Sequence, residues 1–363
     1  MKLQVTQENL NRALGAVARV ANSRNQLPIL SNVLIKTDNN RLSISATNLD
    51  IGITQFIGAK ISSEGSITVP ARLMQDYINS LPSGTISLEL KESKLHISSD
   101  QYQSVVNGIL ADDFPVMPAI QDGKKWSIAA GELKKALQQV TFAASADESR
   151  PVLTGVLCKT DAGQLRIAAT DSYRLAEKTI GKVGEEVNLL IPASSMHDLL
   201  RILGDTDEIV SVTHDEQQVL FQVAEVELVT RLLEGNYPDY RKLIPETFQQ
   251  SATLKRADFV NITKVSSLFA RESAGSITLH LNDEKQLLSI HSVASQLGEN
   301  TSEATAKIIG SGDITLNSRY LLDGLQAFTD DEITFGFNGK LEPTILRSGD
   351  KSRYVHVVMP LKS

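Results

Sequence analysis

Asn188–Pro192 (NLLIP) leads directly into residues 193–203 (ASSMHDLLRIL). The first five residues are typical of a short buried strand, and the next eleven place their large apolar side chains on one stripe of a helix. A proline suits the corner between the two because its ring fixes φ and its nitrogen has no proton to donate. The segment therefore predicts a strand followed by a one-sided helix that packs on a sheet.

The same strand–helix unit occurs once before this segment and once after it. Residues 66–70 (SITVP) lead into 71–81, and residues 314–317 (ITLN) lead into 318–328. Alternating segments that read as half-buried antiparallel strands come next. The predicted core stripes of the three helices are Leu73, Tyr77 and Leu81, then Met196, Leu199, Leu200 and Leu203, then Leu321, Leu325 and Phe328.

Each third of the chain also begins and ends in the same way. A short strand and an amphipathic helix come first, and a proline-containing segment comes last: 113–118 (DFPVMP), 237–245 (YPDYRKLIP) and 357–360 (VVMP). The first-helix stripes are Leu10, Leu14, Val17 and Val20, then Leu133, Leu137, Val140 and Ala143, then Phe259, Ile262, Val265 and Phe269. This repeat predicts an α+β fold in three domains, 1–120, 121–248 and 249–363, each with two helices packed on antiparallel sheets.

Composition excludes several classes of protein. Cys158 is the single cysteine of the 363 residues, so an intrachain disulfide and a CxxC metal site are ruled out, which suits a reducing cytoplasm. No apolar stretch approaches the ~20 residues of a membrane span. The six histidines are scattered, and the common hydrolase, metalloprotease and nucleotide-binding motifs do not occur. We therefore expect no catalytic residue, no metal and no cofactor.

Five short motifs carry a family resemblance: 27–32 (LPILSN), 69–72 (VPAR), 169–176 (ATDSYRLA), 237–241 (YPDYR) and 358–361 (VMPL). In this order they resemble the bacterial DNA polymerase III beta subunits, the beta sliding clamps, and the likeness covers essentially the whole chain. The resemblance implies a non-catalytic processivity factor that forms a head-to-tail homodimeric ring. Its implied partners are encircled duplex DNA, the replicative DNA polymerase, the clamp loader and other proteins with clamp-binding motifs.

The resemblance also implies a pocket for partner peptides between the middle and last domains. Its matching positions are Leu153, Thr170, Ser172, Tyr173, Arg174, Leu175, Pro238, Lys242, Leu243, Asn317, Tyr320, Pro343, Val357, Met359, Pro360 and Leu361. The apolar residues would receive anchors, and Arg174 and Lys242 would meet a polar or acidic flank. Leu175 and Val357 are alternatively ordinary core residues. Lys242, where some members have arginine, and Ser363, where others end in an apolar residue, depart from the family pattern.

The charge distribution is compatible with a ring around DNA although the net charge is −7. The six predicted helices carry a net positive charge, and the rest of the chain is correspondingly more acidic. The predicted DNA-facing residues on the helices are Arg12, Arg19, Arg72, Lys134, Lys135, Arg201, Lys264 and Arg319. Arg24 and Arg150 match family positions that touch DNA. Sequence-specific readout is not expected, because no recognition motif occurs.

The resemblance places the subunit interface between the last domain of one copy and the first domain of the other. Leu268 and Phe269 would meet an edge strand at 103–109 that contains Gln103 and Val105. Phe269 also belongs to a helix stripe, so core packing is the competing interpretation. Two other functions remain open on the sequence: a three-repeat interaction scaffold that does not encircle DNA, and an enzyme with an unrecognised site.

Overall fold

The computed structural model describes residues 1–21, 27–38, 40–115, 119–204, 208–296, 298–349 and 353–362. The chain divides into two compact units. The first comprises Met1–Leu133 and His197–Leu232, and the second comprises Lys134–Met196 and Leu233–Ser363.

The helices and strands follow the same order in each third of the chain. The first third contains β1 (Lys2–Thr6), α1 (Gln7–Ala21), β2 (Asn32–Asp38), β3 (Arg41–Thr47), β4 (Ile51–Gly58), β5 (Lys60–Ser63), β6 (Ser66–Pro70), α2 (Ala71–Ser80), β7 (Thr85–Lys91), β8 (Lys94–Ser99) and β9 (Tyr102–Asn107). The middle third contains β10 (Lys124–Ala129), α3 (Ala130–Val140), β11 (Gly155–Asp161), β12 (Gln164–Thr170), β13 (Arg174–Lys182), β14 (Asn188–Pro192), α4 (Ala193–Ile202), β15 (Ile209–His214), β16 (Gln218–Val223) and β17 (Val226–Arg231). The last third contains β18 (Gln250–Lys255), α5 (Arg256–Phe269), β19 (Ser276–Asn282), β20 (Leu287–Ala294), β21 (Gly298–Thr305), β22 (Lys307–Ile309), β23 (Gly312–Asn317), α6 (Ser318–Ala327), β24 (Glu332–Phe337), β25 (Thr344–Arg347) and β26 (Tyr354–Val358).

The first unit contains a five-stranded sheet, β5-β1-β7-β8-β9, and an eight-stranded sheet, β10-β15-β16-β17-β4-β3-β2-β6. In the larger sheet, β17 of the middle third pairs antiparallel with β4 of the first third, and Val229 lies opposite Gly52. The backbone N–H of Phe56 donates to the carbonyl of Glu225 at 2.8 Å and extends this pairing. Strands from two predicted domains therefore share one sheet.

The second unit repeats this arrangement. It contains a nine-stranded sheet, β14-β11-β12-β13-β26-β25-β24-β18-β22, and a four-stranded sheet, β21-β20-β19-β23. Here β26 of the last third pairs antiparallel with β13 of the middle third, and Val357 lies opposite Leu175. Because the middle third contributes strands to both units, the compact units cut across it. The three-domain division stays a prediction.

The helix stripes were predicted correctly in α1, where Leu10, Leu14 and Val17 are fully buried, and incorrectly in α2. Leu73 is 54% exposed, and the buried face of α2 is formed by Ala71, Met74 and Ile78. Both stripes fit a helical period, because spacing alone fixes the period of a pattern but not which face turns toward the sheet.

Two further helix predictions need correction. Val265 is 45% exposed, and the buried residues of α5 include Thr263 and Ser266. The helix expected over 130–144 ends at Val140 and continues as a 3₁₀ turn, Thr141–Ala143. At that turn the Thr141 hydroxyl donates to the carbonyl of Leu137 at 2.8 Å, a local bond that competes with regular helical pairing.

Candidate functional site

A tight loop between β12 and β13 presents the predicted pocket residues. The Thr170 hydroxyl donates to the carbonyl of Arg174 at 2.6 Å, and Asp171 Oδ1 accepts from the N–H groups of Tyr173 and Arg174, both at 2.9 Å. Ser172 has a φ of 78°, in the left-handed region. These bonds fix the loop and leave the Tyr173 side chain 62% exposed.

Arg174 is held by the chain on several sides. Nη1 donates to Asp323 Oδ2 at 2.6 Å, Nε donates to Asp171 Oδ2 at 3.0 Å, and Nη2 donates to the carbonyl of Phe142 at 2.7 Å. The guanidinium also lies 4.7 Å from the centroid of the Tyr320 ring. The expectation that Arg174 meets the acidic flank of a peptide is therefore wrong, because its donors are already engaged. It positions the loop instead.

Two tyrosines and the C-terminal segment form the exposed part of the site. The rings of Tyr173 and Tyr320 stack with centroids 6.5 Å apart and an interplanar angle of 22°. The N–H of Met359 donates to the carbonyl of Tyr173 at 2.8 Å, and the N–H of Leu361 donates to the carbonyl of Thr315 at 2.9 Å. Met359, Pro360 and Leu361 are each half-buried. We call Tyr173, Tyr320 and Met359 the tyrosine–methionine surface.

Leu175 and Val357 lie beneath this site as core residues. They are 2% and 1% exposed, and they pack in one apolar cluster with Leu157, Ala168, Leu190, Tyr240 and Ile345. Leu153 and Thr170 are also buried, at 6% exposure each. The core interpretation that the sequence left open for Leu175 and Val357 is therefore confirmed, and their side chains can support a bound peptide only from below.

The connector between the middle and last thirds is fixed by its tyrosines. Tyr237 accepts a hydrogen bond from the N–H of Thr170 at 3.0 Å, and Tyr240 donates to Glu177 Oε2 at 2.7 Å. Burial raises the pKa of both phenols, so both stay protonated. Between and beyond them, Pro238, Lys242 and Leu243 are exposed.

The remaining predicted pocket residues have structural partners of their own. The carboxamide of Asn317 caps α6 by accepting from the N–H groups of Arg319 and Tyr320, and it donates to the carbonyl of Ala274 at 3.0 Å. Pro343 is half-buried immediately before β25. The Lys242 ammonium lies 2.9 Å from Asp239 Oδ2, and the hydrogen bond from Asp239 raises the lysine pKa. Ser363 lies outside the described residues.

Three of the predicted DNA-facing arginines converge. Arg12, Arg19 and Arg201 line a cleft of about 520 Å³ in the first unit, together with Asp198 and Gln55. Arg201 Nη1 donates to Asp198 Oδ1 at 2.8 Å, so one of the three positive charges is partly compensated. The cleft nevertheless concentrates positive charge on a chain of net charge −7.

The other predicted DNA-facing residues are dispersed. Arg72, Lys135, Lys264 and Arg319 are exposed, and Lys134 is half-buried. Arg150 Nη1 lies 3.4 Å from Ser172 Oγ, so this residue lies beside the peptide site and not on a helix. Arg24 lies outside the described residues.

The residues predicted for the subunit interface lie at sheet edges. Val105 is 54% exposed and Gln103 is exposed on β9, the end strand of the five-stranded sheet. Leu268 is 50% exposed near the end of α5, and Phe269 is half-buried. The same helix is tied to β21 by a hydrogen bond from Ser266 Oγ to Asn300 Oδ1 at 3.1 Å. Leu268 and Phe269 therefore belong to the helix that packs on this second edge strand.

Within the described part of the chain, no group of histidine, cysteine, aspartate and glutamate side chains could hold a metal ion. None of the helices found there is long and apolar enough to cross a membrane.

Comparison with known proteins accounts for this arrangement. Three domain families match in order: DNA polymerase III beta subunit, N-terminal domain, at residues 1–118; central domain, at 127–239; and C-terminal domain, at 241–362. The chain belongs to the DNA polymerase III beta subunit family. The predicted resemblance to beta sliding clamps is thereby confirmed.

Relatives and solved structures of the family match along the full length. The beta sliding clamp of Synechococcus elongatus is 33% identical, with 100% of this chain and 99% of the relative covered, and that of Bacillus subtilis is 30% identical over 100% of both. The crystal structure of the Bacillus subtilis sliding clamp has a TM-score of 0.95 at 29% identity and covers 100% of this chain and 99% of that one. A Pseudomonas aeruginosa sliding clamp bound to griselimycin has a TM-score of 0.95 at 25% identity and full coverage of both chains. The sliding-clamp fold predicted from the sequence is confirmed.

Sequence reasoning missed the residues that hold the clamp's predicted peptide loop in place. Asp171 could have been identified, because an aspartate two and three residues before the N–H groups that it accepts is a common turn signal. Asp323 and Phe142 could not, since they lie far from Arg174 along the chain and carry no local pattern. Only the tertiary structure brings them to the guanidinium.

Proposed function

We propose that this protein is a DNA processivity factor in which two copies close head to tail into a ring around duplex DNA. Each copy contributes three domains, 1–120, 121–248 and 249–363. The ring tethers the replicative polymerase and other DNA enzymes without a chemical step of its own, and it acts in the cytoplasm, where a bacterial chromosome is copied.

One observation about strand pairing carries the proposal. In every third, three consecutive strands follow the first helix, and three more follow the second helix. The last strand of the first set in one third pairs with the last strand of the second set in the next third, as β4 with β17 and β13 with β26. The two strands left over by this rule are β21 and β9, and each ends its sheet in the described chain. Pairing β21 of one copy with β9 of another repeats the rule and makes a head-to-tail contact.

Leu268, Phe269, Gln103 and Val105 fit this contact. An edge strand with an exposed apolar residue is a liability in an isolated chain, and a second copy would cover it. A head-to-tail contact generates a closed ring when its rotation closes, and closure leaves no free edge. The edges of the chain are thus accounted for by the ring.

DNA binding follows from encirclement with modest electrostatic help. Affinity for phosphates grows with the number of charges neutralised, so a strong grip would slow sliding. The arginine cleft formed by Arg12, Arg19 and Arg201 and the dispersed basic residues Arg24, Arg72, Lys134, Lys135, Arg150 and Lys264 supply limited positive charge. We infer that they guide the duplex and read no base sequence.

Partner proteins, including the polymerase and the clamp loader, bind at the tyrosine–methionine surface. Its exposed Tyr173 ring and half-buried Met359 offer apolar contact area that adapts to different side chains. Exposed Leu243 and Pro238 on the connector extend the site, and Lys242 offers a cation to an acidic flank.

Retention on DNA of different topology tests the proposal. The protein is loaded by its clamp loader onto nicked circular DNA, separated from free protein by gel filtration, and followed after the circle is cut once. A ring should stay on the circle and leave the linear form within minutes. Equal loss from both forms would show that the protein is a scaffold that does not encircle DNA.

A further inference from the structure

The junction between the first and middle thirds repeats the loop of the predicted peptide site. The Thr47 hydroxyl donates to the carbonyl of Ile51 at 2.9 Å. Asn48 Oδ1 accepts from the backbone N–H groups two and three residues later, at 3.0 and 2.9 Å. Leu49 has a φ of 80°. These are the same hydroxyl bond, the same paired acceptor and the same left-handed residue as in the loop from Thr170 to Arg174.

The turn before the following strand is repeated as well. Ser31 Oγ donates to the carbonyl of Pro28 at 2.6 Å, and Thr154 Oγ1 donates to the carbonyl of Pro151 at 2.7 Å. The two junctions are therefore built on one plan.

The floors of the two junctions differ at one position. Leu175 lies opposite Val357 and fills the core of the second junction, whereas Gly52 lies opposite Val229 in the first. With no side chain at Gly52, a cleft of about 330 Å³ is present there, within the range of small-ligand pockets. Its lining includes Leu34, Gly52, Thr54, Phe114, Leu220 and Val229.

The surroundings of this cleft are apolar with one negative charge. Leu49 at the loop tip is 40% exposed, and Leu27 is 51% exposed where the second junction has Arg150. Glu227 lines the cleft at the strand position that Val355 occupies in the second junction. Its Oε1 accepts a hydrogen bond from Gln222 Nε2 at 2.9 Å, which orients the half-buried carboxylate.

We propose that this cleft is a second docking site for partner peptides. Its occupant is a short segment of another protein that carries a leucine-, methionine- or phenylalanine-sized side chain beside a lysine or arginine. The apolar side chain takes the space that Leu175 fills in the other junction, and the cation pairs with Glu227. The inference goes beyond the proposed function and does not depend on ring closure.

The number of peptides bound per chain tests the proposal. The probes are acetyl-Gly-Lys-Leu-Leu-Phe-amide and its glutamate counterpart, acetyl-Gly-Glu-Leu-Leu-Phe-amide, titrated calorimetrically into the full-length protein. The lysine peptide should bind at two sites per chain. Gly52→Leu should remove one of them, and Met359→Asp should remove the other, so a failure of either site assignment is seen separately.

The charge preference gives a readout that does not depend on filling the cleft. In the Met359→Asp background, the isosteric Glu227→Gln should weaken the lysine peptide about threefold, the size expected for a partly exposed ion pair, and leave the glutamate peptide no weaker. Circular dichroism checks that each variant is folded. The proposal is overturned if the wild-type protein binds one lysine peptide per chain and Met359→Asp binds none, or if Glu227→Gln leaves the affinity for the lysine peptide unchanged.

Discussion

Arg174 Nη1 donates to Asp323 Oδ2 at 2.6 Å, and this ion pair joins the middle third of the chain to the last third. The arginine side chain is 10% exposed and the aspartate 31%. A second carboxylate, from Asp171, lies at 3.0 Å on Nε. The guanidinium thereby couples the peptide loop to α6, and a lysine could not make the three-sided contact because it lacks the planar fork of donors.

Replacing Arg174 with lysine should weaken both the fold and peptide binding. The positive charge would be kept but the bidentate geometry lost, and we expect about 2 kcal/mol less stability of the second unit, since a partly buried network is broken. Peptide affinity should fall about tenfold because the loop that carries Tyr173 is no longer fixed. Urea unfolding and peptide titration measure the two effects. Lys242→Ala, which removes an exposed ion pair, is the control, and an equal drop in unfolding midpoint for both variants would refute this role.

Met359 and Leu175 should respond differently to a charge, although the sequence treated them as equivalent pocket residues. Met359 is half-buried at the surface, so Met359→Asp should abolish peptide binding with little change in stability. Leu175 is 2% exposed in the core, so Leu175→Asp buries an unpaired carboxylate and should destabilise the protein by several kcal/mol. Thermal unfolding alongside peptide titration distinguishes them. A stable Leu175→Asp protein would show that the cluster is not a core.

The periodic features of the fold were readable from the sequence, and the contacts between thirds were not. NLLIP at 188–192 and ITLN at 314–317 carry their strands in their own residues, and the structure has them as β14 and the end of β23. The face of α2 was misassigned because Leu73 and Met74 both continue an apolar stripe, and only the sheet decides which one is buried. The Arg174–Asp323 contact depends on chain segments that meet only after folding.

His356 should make the stability of the second unit depend on pH. It is fully buried, and burial together with the nearby charge of Arg174 lowers its pKa to about 3. Because an unfolded histidine has a pKa of about 6.5, the unfolded chain binds more protons between these values. Stability should therefore fall as the pH drops below about 6.5, by up to ~1.4 kcal/mol per pH unit until about pH 3. Urea unfolding of wild type and His356→Gln from pH 7 to 5 isolates this contribution, which is disproved if both slopes agree.

The strand-edge contact can be broken by one charge. Val105 is 54% exposed on β9, and Val105→Asp would place a carboxylate in the proposed seam with β21 of the other copy. Burying an unpaired charge costs several kcal/mol, so the protein should sediment as a single chain and lose its retention on circular DNA. Ile209→Asp, at a residue that is 58% exposed on β15, is the matched control and should change neither property. A Val105→Asp protein that keeps the mass of a dimer argues against this edge.

The arginine cleft should govern how the protein responds to salt once it is on DNA. Arg12, Arg19 and Arg201 line one cleft, and each phosphate that they neutralise adds about 0.9 to the slope of log affinity against log salt concentration. Replacing all three with alanine should flatten that slope by between one and three such increments for weak binding to linear DNA. Arg41→Ala, at an arginine paired with Glu225 outside the helices, should leave the slope as it is. Retention of the loaded protein on a closed circle should survive the triple replacement, because a closed ring needs no ion pairs to stay linked. If the triple variant falls off intact circles, the protein holds DNA by charge and not by encirclement.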